Sequence, residues 1–185
     1  MASFITIIIV FLAVLLSYEF AIGMRRKMNR RRVFKMAKDR SKSAGLPILV
    51  IGDPYNGIMS VSTGADYGCG DLCLDLTGCK RCPRGLEGAL ESMLPKMDLR
   101  RYIVYVSCTL EYVDDLPLIL TYLKRVPQKN MFVVNIEWYC LTSYIYPYFL
   151  TKEEPPKYVI YRCPPWDSDL SYRELWSSKT HTVRW

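Results

Sequence analysis

Leu46-Pro47-Ile48-Leu49-Val50-Ile51-Gly52-Asp53-Pro54-Tyr55-Asn56-Gly57 is the stretch on which the reading of the fold turns. Pro47–Ile51 is a short apolar run between Gly45 and the turn formers Gly52-Asp53-Pro54. A run that is apolar on both faces suits a strand buried in the middle of a sheet. In doubly wound α/β folds the turn after the first strand meets the ligand, so any enzymatic reading depends on Gly52–Gly57.

Toward the C-terminus, Tyr55–Gly70 is rich in Gly, Ser, Thr and Asp and reads as an irregular crossover. Asp71–Leu76 alternates and predicts a second strand ending at Thr77-Gly78. Leu86–Met97 carries apolar residues at helical spacing, with Pro95 distorting the last turn. Tyr102–Cys108 is the strongest strand, β-branched and aromatic. Asp114-Asp115 cap a helix over Leu116–Val126 with Pro117 in its first turn. Met131–Ile136 and Tyr158–Cys163 are further strands, and Tyr139–Leu150 is ambiguous. Ser168–Trp176 reads as a short helix before a polar tail containing the single histidine, His181, which reads as exposed and inert. Alternating strands and helices predict an α/β domain over 46–185, its mostly parallel sheet covered on both faces.

Toward the N-terminus, Phe4–Leu16 has one polar residue, Thr6, and residues 1–24 read as a transmembrane anchor. Ala2–Met24 would span about 34 Å as helix, enough for a ~30 Å hydrocarbon core. A cleaved signal peptide is the competing reading, but no basic residue precedes the apolar run. The basic residues follow it, which predicts an outside N-terminus and a cytoplasmic domain. Residues 25–45 read as a basic tether, helical as far as Lys38. Arg25–Lys42 holds ten basic residues and one acidic one, Asp39. Apart from Glu19 in the anchor, the rest of the chain holds 15 basic and 16 acidic residues. The +7 net charge therefore resides in the tether. Its partner is the lipid bilayer, and a specific nucleic-acid interface, which needs a basic footprint on the domain itself, is not expected.

Four of the seven cysteines fall in Cys69-x3-Cys73-x5-Cys79-x2-Cys82. A cysteine tetrad suggests tetrahedral zinc. An extended 71–76 segment would, however, hold Cys69 and Cys79 over about 15 Å apart, so no metal site is expected. Cys79-Lys80-Arg81-Cys82 leaves a redox pair or a disulfide open, against free buried thiols as the cytoplasmic default. Cys108, Cys140 and Cys163 lie in apolar surroundings and read as core.

Ser107-Cys108-Thr109-Leu110-Glu111-Tyr112-Val113-Asp114-Asp115-Leu116, continuing through Leu123-Lys124-Arg125-Val126 to Met131–Val134, resembles the latter half of class I S-adenosylmethionine-dependent methyltransferases of the type 11 group. The resemblance spans about residues 46–137. It implies a Rossmann-like sheet, with the first strand beside the Tyr102 strand. It also implies S-adenosylmethionine as cofactor, with Gly52, Asp53, Gly57 and Asp75 as the binding residues and Asp75 in the ribose-binding position. The motif departs from the family's: Val50 stands where an acid belongs, and Pro54 and Asn56 replace two glycines. Gly68-Cys69-Gly70-Asp71 is glycine-rich but precedes a strand where the family's motif follows one. The expectation is therefore a non-catalytic, membrane-anchored structural or interaction protein without cofactor, the alternative being an active tethered methyltransferase. GDPYNG, GCGDLCLDLTGC and the anchor together are similar to small membrane and minor capsid proteins of large DNA viruses. That similarity implies a virion internal membrane facing the capsid, with neighbouring structural proteins as partners.

Overall fold

The computed structural model describes residues 2–55, 60, 64–134, 158–162 and 180–184. Helix α1, Ala2–Ala44, runs unbroken for 43 residues, about 65 Å. Its first half is ringed by exposed apolar side chains, from Phe4 to Phe20. With a mean hydropathy of 2.5 it is long and apolar enough to cross a membrane. The stretch expected as a tether continues the same helix to Ala44 and packs onto the domain. It ends where Gly45 takes φ +64° and Leu46 N–H reaches back to Ser41 O at 3.3 Å, a Schellman cap.

Five strands follow: β1 Ile48–Ile51, β2 Leu72–Asp75, β3 Gly85–Glu87, β4 Ile103–Ser107 and β5 Met131–Val134. They form one sheet in the order β3-β2-β1-β4-β5, with every pairing parallel. β1 and β4 are adjacent at its centre, as expected, and both are buried along their whole length. Because side chains alternate across a strand, each strand feeds two cores. Leu49, Ile51, Val104, Val106, Met131 and Val133 face one side, where Leu90, Leu94, Leu116, Ile119 and Leu123 cover them. Ile48, Val50, Ile103, Tyr105, Phe132 and Val134 face the other, and Val33, Ala37 and Phe34 of α1 cover them. The chain is thus α/β, a parallel sheet between helical layers.

Leu86–Met97, expected as one helix, divides. Its start is β3, paired with β2 through Leu74–Leu86. Gly88, at φ +155°, then turns the chain into α2, Leu90–Met93, which tightens to a 3-10 turn at Leu94–Lys96 around Pro95. The apolar periodicity was sound for its second half: Leu90 and Leu94 are buried, and Met93 and Met97 pack beside them. α3, Leu116–Leu123, starts as expected. Asp115 accepts from Leu118 N–H at 2.9 Å, and Pro117 lies in the first turn.

The tail expected after residue 176 contributes β7, Thr180–Arg184, antiparallel to β6, Tyr158–Arg162. His181 therefore lies in a strand, opposite Tyr161. Tyr139–Leu150, Ser168–Trp176, Cys140 and Cys163 lie outside the described residues.

Candidate functional site

From β1 the chain proceeds to β2 and β3 on one side, and from β4 to β5 on the other. The order reverses between β1 and β4, and in open parallel sheets the crevice beyond the carboxyl ends at such a point receives ligands. Gly52, Asp53, Ser107, Cys108 and Thr109 all lie there.

This crevice is occupied by α1. Arg30 donates to Asp66 Oδ2 at 2.6 Å and to Cys108 Sγ at 2.9 Å. Lys27, almost wholly buried, donates to Gly64 O at 2.9 Å and lies 3.4 Å from Asp66 Oδ1. Tyr105 donates its hydroxyl to Arg30 O at 3.2 Å, and Tyr67 donates to Gly52 O at 3.1 Å. The two rings pack 5.0 Å apart, with Phe34 edge-on to Tyr105 at 5.2 Å. Burial alone would lower the Arg30 pKa, but Cys108, Tyr67, Asp66 and Tyr105 outweigh it and hold the guanidinium charged. Burial pushes both the Tyr67 and Tyr105 phenols upward, against the pull of Arg30. Cys108, expected as apolar core, is a half-buried thiol at φ +49° held by that guanidinium. Left-handed backbone at a non-glycine residue is uncommon and concentrates at functional sites.

Gly52 is roofed. At φ +109°, a Cβ there would lie 2.5 Å from both Ser107 O and Thr109 Oγ1 and 3.3 Å from the Tyr67 hydroxyl. Its glycine identity thus serves a close approach of β1 to β4 and Tyr67. Asp75 has both carboxylate oxygens committed: Oδ2 accepts from Asp53 N–H at 3.1 Å, and Oδ1 from Thr77 N–H at 3.0 Å and Thr77 Oγ1 at 2.9 Å. It holds the turns after β1 and β2 together. Asp53 accepts from Tyr55 N–H at 3.0 Å. Burial raises the Asp53 pKa, and Asp75 adds to the rise, opposed by the Tyr55 hydrogen bond and Arg81. Gly57 and Asn56 lie outside the described residues. The structure therefore brings Gly52, Asp53 and Asp75 together, bonded to one another and to neighbouring turns.

Lys27, Arg30, Asp66 and Tyr67 escaped the sequence reading. The signal for the two cations was the spacing Lys27, Arg30, Val33, Phe34, Ala37, which marks one helix face carrying cations and then apolar residues. The net charge of the stretch concealed that face.

The cysteine expectation is corrected outright. Cys69 pairs with Cys82 and Cys73 with Cys79, while Cys79 and Cys82 do not pair with each other. The error lay in extending the strand. β2 stops at Asp75, Gly78 N–H returns to Asp75 O at 3.2 Å, and Gly78 at φ +79° reverses the chain so that Cys79 comes back beside Cys73. Only nine residues, Leu76–Arg84, connect β2 to its parallel neighbour β3. A parallel connection usually takes a dozen or more residues and a helix. Here the two bridges brace a connection that has no helix. A shallow hollow of about 240 Å³ opens beside them, lined by Cys69, Gly70, Asp71, Pro83 and Arg84. It lies toward the amino end of β1, where Asp71 accepts from Ile48 N–H at 2.8 Å.

Comparison with protein-family models, with curated proteins and with solved structures yields no match.

Proposed function

We propose that this chain is a single-pass membrane protein whose Rossmann-like domain acts as a structural, partner-binding scaffold and not as a methyltransferase. The observation that carries the reading is the burial of Arg30 of α1, bound to Asp66 and Cys108, in the crevice where a cofactor would lie. A helix that starts in a bilayer and ends under the sheet fixes the domain closely to the membrane surface. Lys27 and Arg30 engage the domain only a few residues, about 5–9 Å of helix, past the end of the apolar segment. Such a rigid mount suits a link between a membrane and a protein layer. The similarity to minor capsid proteins of large DNA viruses supplies a setting, with an internal virion membrane on one side and capsid proteins on the other. In this reading the domain faces the cytoplasmic side, because the basic residues follow the apolar run.

Isothermal titration of the full chain in detergent with S-adenosylmethionine tests the scaffold reading. A fragment starting near residue 43 would be unsuitable, because it strips Val33, Phe34 and Ala37 from the sheet. No heat of binding at millimolar ligand is expected. Low-micromolar binding abolished by Asp75→Ala would restore the enzyme. Orientation is checked separately: protease added to the cytoplasmic face should digest the domain, and digestion only from the opposite face would reverse the topology.

A further inference from the structure

We propose that Cys69, Cys73, Cys79 and Cys82 form a four-thiolate site for one Zn2+, the two-disulfide form being its oxidised, metal-free state. The Sγ atoms of Cys73, Cys79 and Cys82 lie within 4.8 Å of one another, and that of Cys69 is bonded to that of Cys82. Three sulfurs from a short segment therefore cluster, and the fourth is one bond away from that cluster. Zn–S bonds of about 2.3 Å place tetrahedral sulfurs about 3.8 Å apart, a spacing that side-chain rotation reaches from here.

The backbone supplies the ligands in the way closed zinc sites do. Cys79 and Cys82 come from one tight turn, with Cys82 N–H donating to Cys79 O at 2.9 Å. Cys73 comes from β2, and Cys69 from the segment leading into it. Gly85 is pressed against this turn: a Cβ there would lie 2.5 Å from Cys79 O, so the start of β3 packs directly onto the ligand-bearing turn. Cys73, Cys79 and Cys82 are buried, leaving no open coordination position and making the site structural. Cys69 borders the hollow beside Pro83 and Arg84, which gives metal and reductant a way in. Lys80, Arg81 and Arg84 flank the ligands in the sequence and carry the sign of charge that a tetrathiolate zinc centre, at −2, needs nearby. The site spans the helix-free connection between two parallel strands, where a cross-link is needed in either redox state.

The chemistry balances. Two equivalents of a dithiol, or four of a monothiol such as glutathione, reduce the two disulfides to four thiols. Zn2+ then binds four thiolates and releases four protons. Which form prevails depends on the compartment: a cytoplasmic domain is held reduced, an exported one oxidised. Metal binding by the reduced chain does not depend on the membrane reading.

The test uses the full chain in detergent, reduced with dithiothreitol, freed of metal and titrated with Co2+ as probe. Expected are thiolate-to-cobalt charge-transfer absorption and the intense visible bands of tetrahedral cobalt, saturating at about one equivalent. Added Zn2+ should bleach them, and a thiol oxidant such as diamide should expel the metal. The double variant Cys73→Ser, Cys79→Ser should lose the spectrum. Reduced wild-type protein that keeps its near-ultraviolet dichroism, and so its fold, but develops no tetrahedral spectrum would overturn the site. So would a spectrum that survives in the double variant.

Discussion

Asp66→Asn is the perturbation that most directly questions the docking of α1. The Asp66 side chain is 5% exposed and is the counter-ion of two cations, Arg30 at 2.6 Å and Lys27 at 3.4 Å. Asparagine preserves size and an acceptor oxygen but removes the charge, leaving two buried cations facing a neutral group. Breaking a buried ion pair from one side costs about 3–5 kcal/mol. At roughly 4 °C per kcal/mol for a domain of this size, the midpoint should fall by about 12–20 °C. Thermal unfolding of the detergent-solubilised chain, followed by near-ultraviolet dichroism, measures it. Limited trypsinolysis adds a local reading, since cleavage after Lys27 and Arg30 should be slow in the native chain and fast in the variant. The triple variant Lys27→Met, Arg30→Met, Asp66→Leu discriminates further. Replacing all the charges of a buried ion cluster with apolar groups is often neutral or stabilising, so it should recover much of the loss despite lacking all three partners. If Asp66→Asn melts within about 0.5 kcal/mol of the wild type and α1 stays protected, the ion cluster does not hold the helix and the reasoning fails.

Two further outcomes follow from the same crevice. Gly52→Ala should destabilise by about 2–6 kcal/mol, adding the strain of a left-handed φ to a clash with Ser107 O that backbone cannot relieve; a variant as stable as wild type would mean that β1 and β4 are farther apart there. Tyr67 and Tyr105 have folded pKa values raised by burial above their unfolded value near 10, so their stabilising contribution is complete below about pH 10 and is lost as pH rises through the folded values. Spectrophotometric titration should therefore show these two phenols ionising only with unfolding, a delay that Tyr105→Phe shortens by one phenol; free titration of every tyrosine in folded protein would contradict their burial.

Much of the architecture was legible in the chain because it rests on local rules. Ile48–Ile51 and Ile103–Ser107 are apolar on both faces, a pattern that suits the middle of a covered parallel sheet. Asp115 and Pro117 announced the start of α3, and the apolar run at Phe4–Leu16 announced a helix long and apolar enough to cross a membrane. Tertiary structure decided what depends on contacts distant in sequence. Arg30 reads as one cation among ten, and only the approach of Asp66 and Cys108, 36 and 78 residues away, makes it the occupant of the crevice. Asp75 is legible as an acid at a strand end, but that its oxygens accept from the turns after β1 and β2 is visible only in the fold. The cysteines show the difference most clearly. Their spacing was plain in the sequence, yet whether four sulfurs converge depended on where β2 stopped and on the left-handed turn at Gly78. A one- or two-residue change in strand length moves a ligand by about 3–7 Å, and the chain reversal at Gly78 closes the rest of the gap.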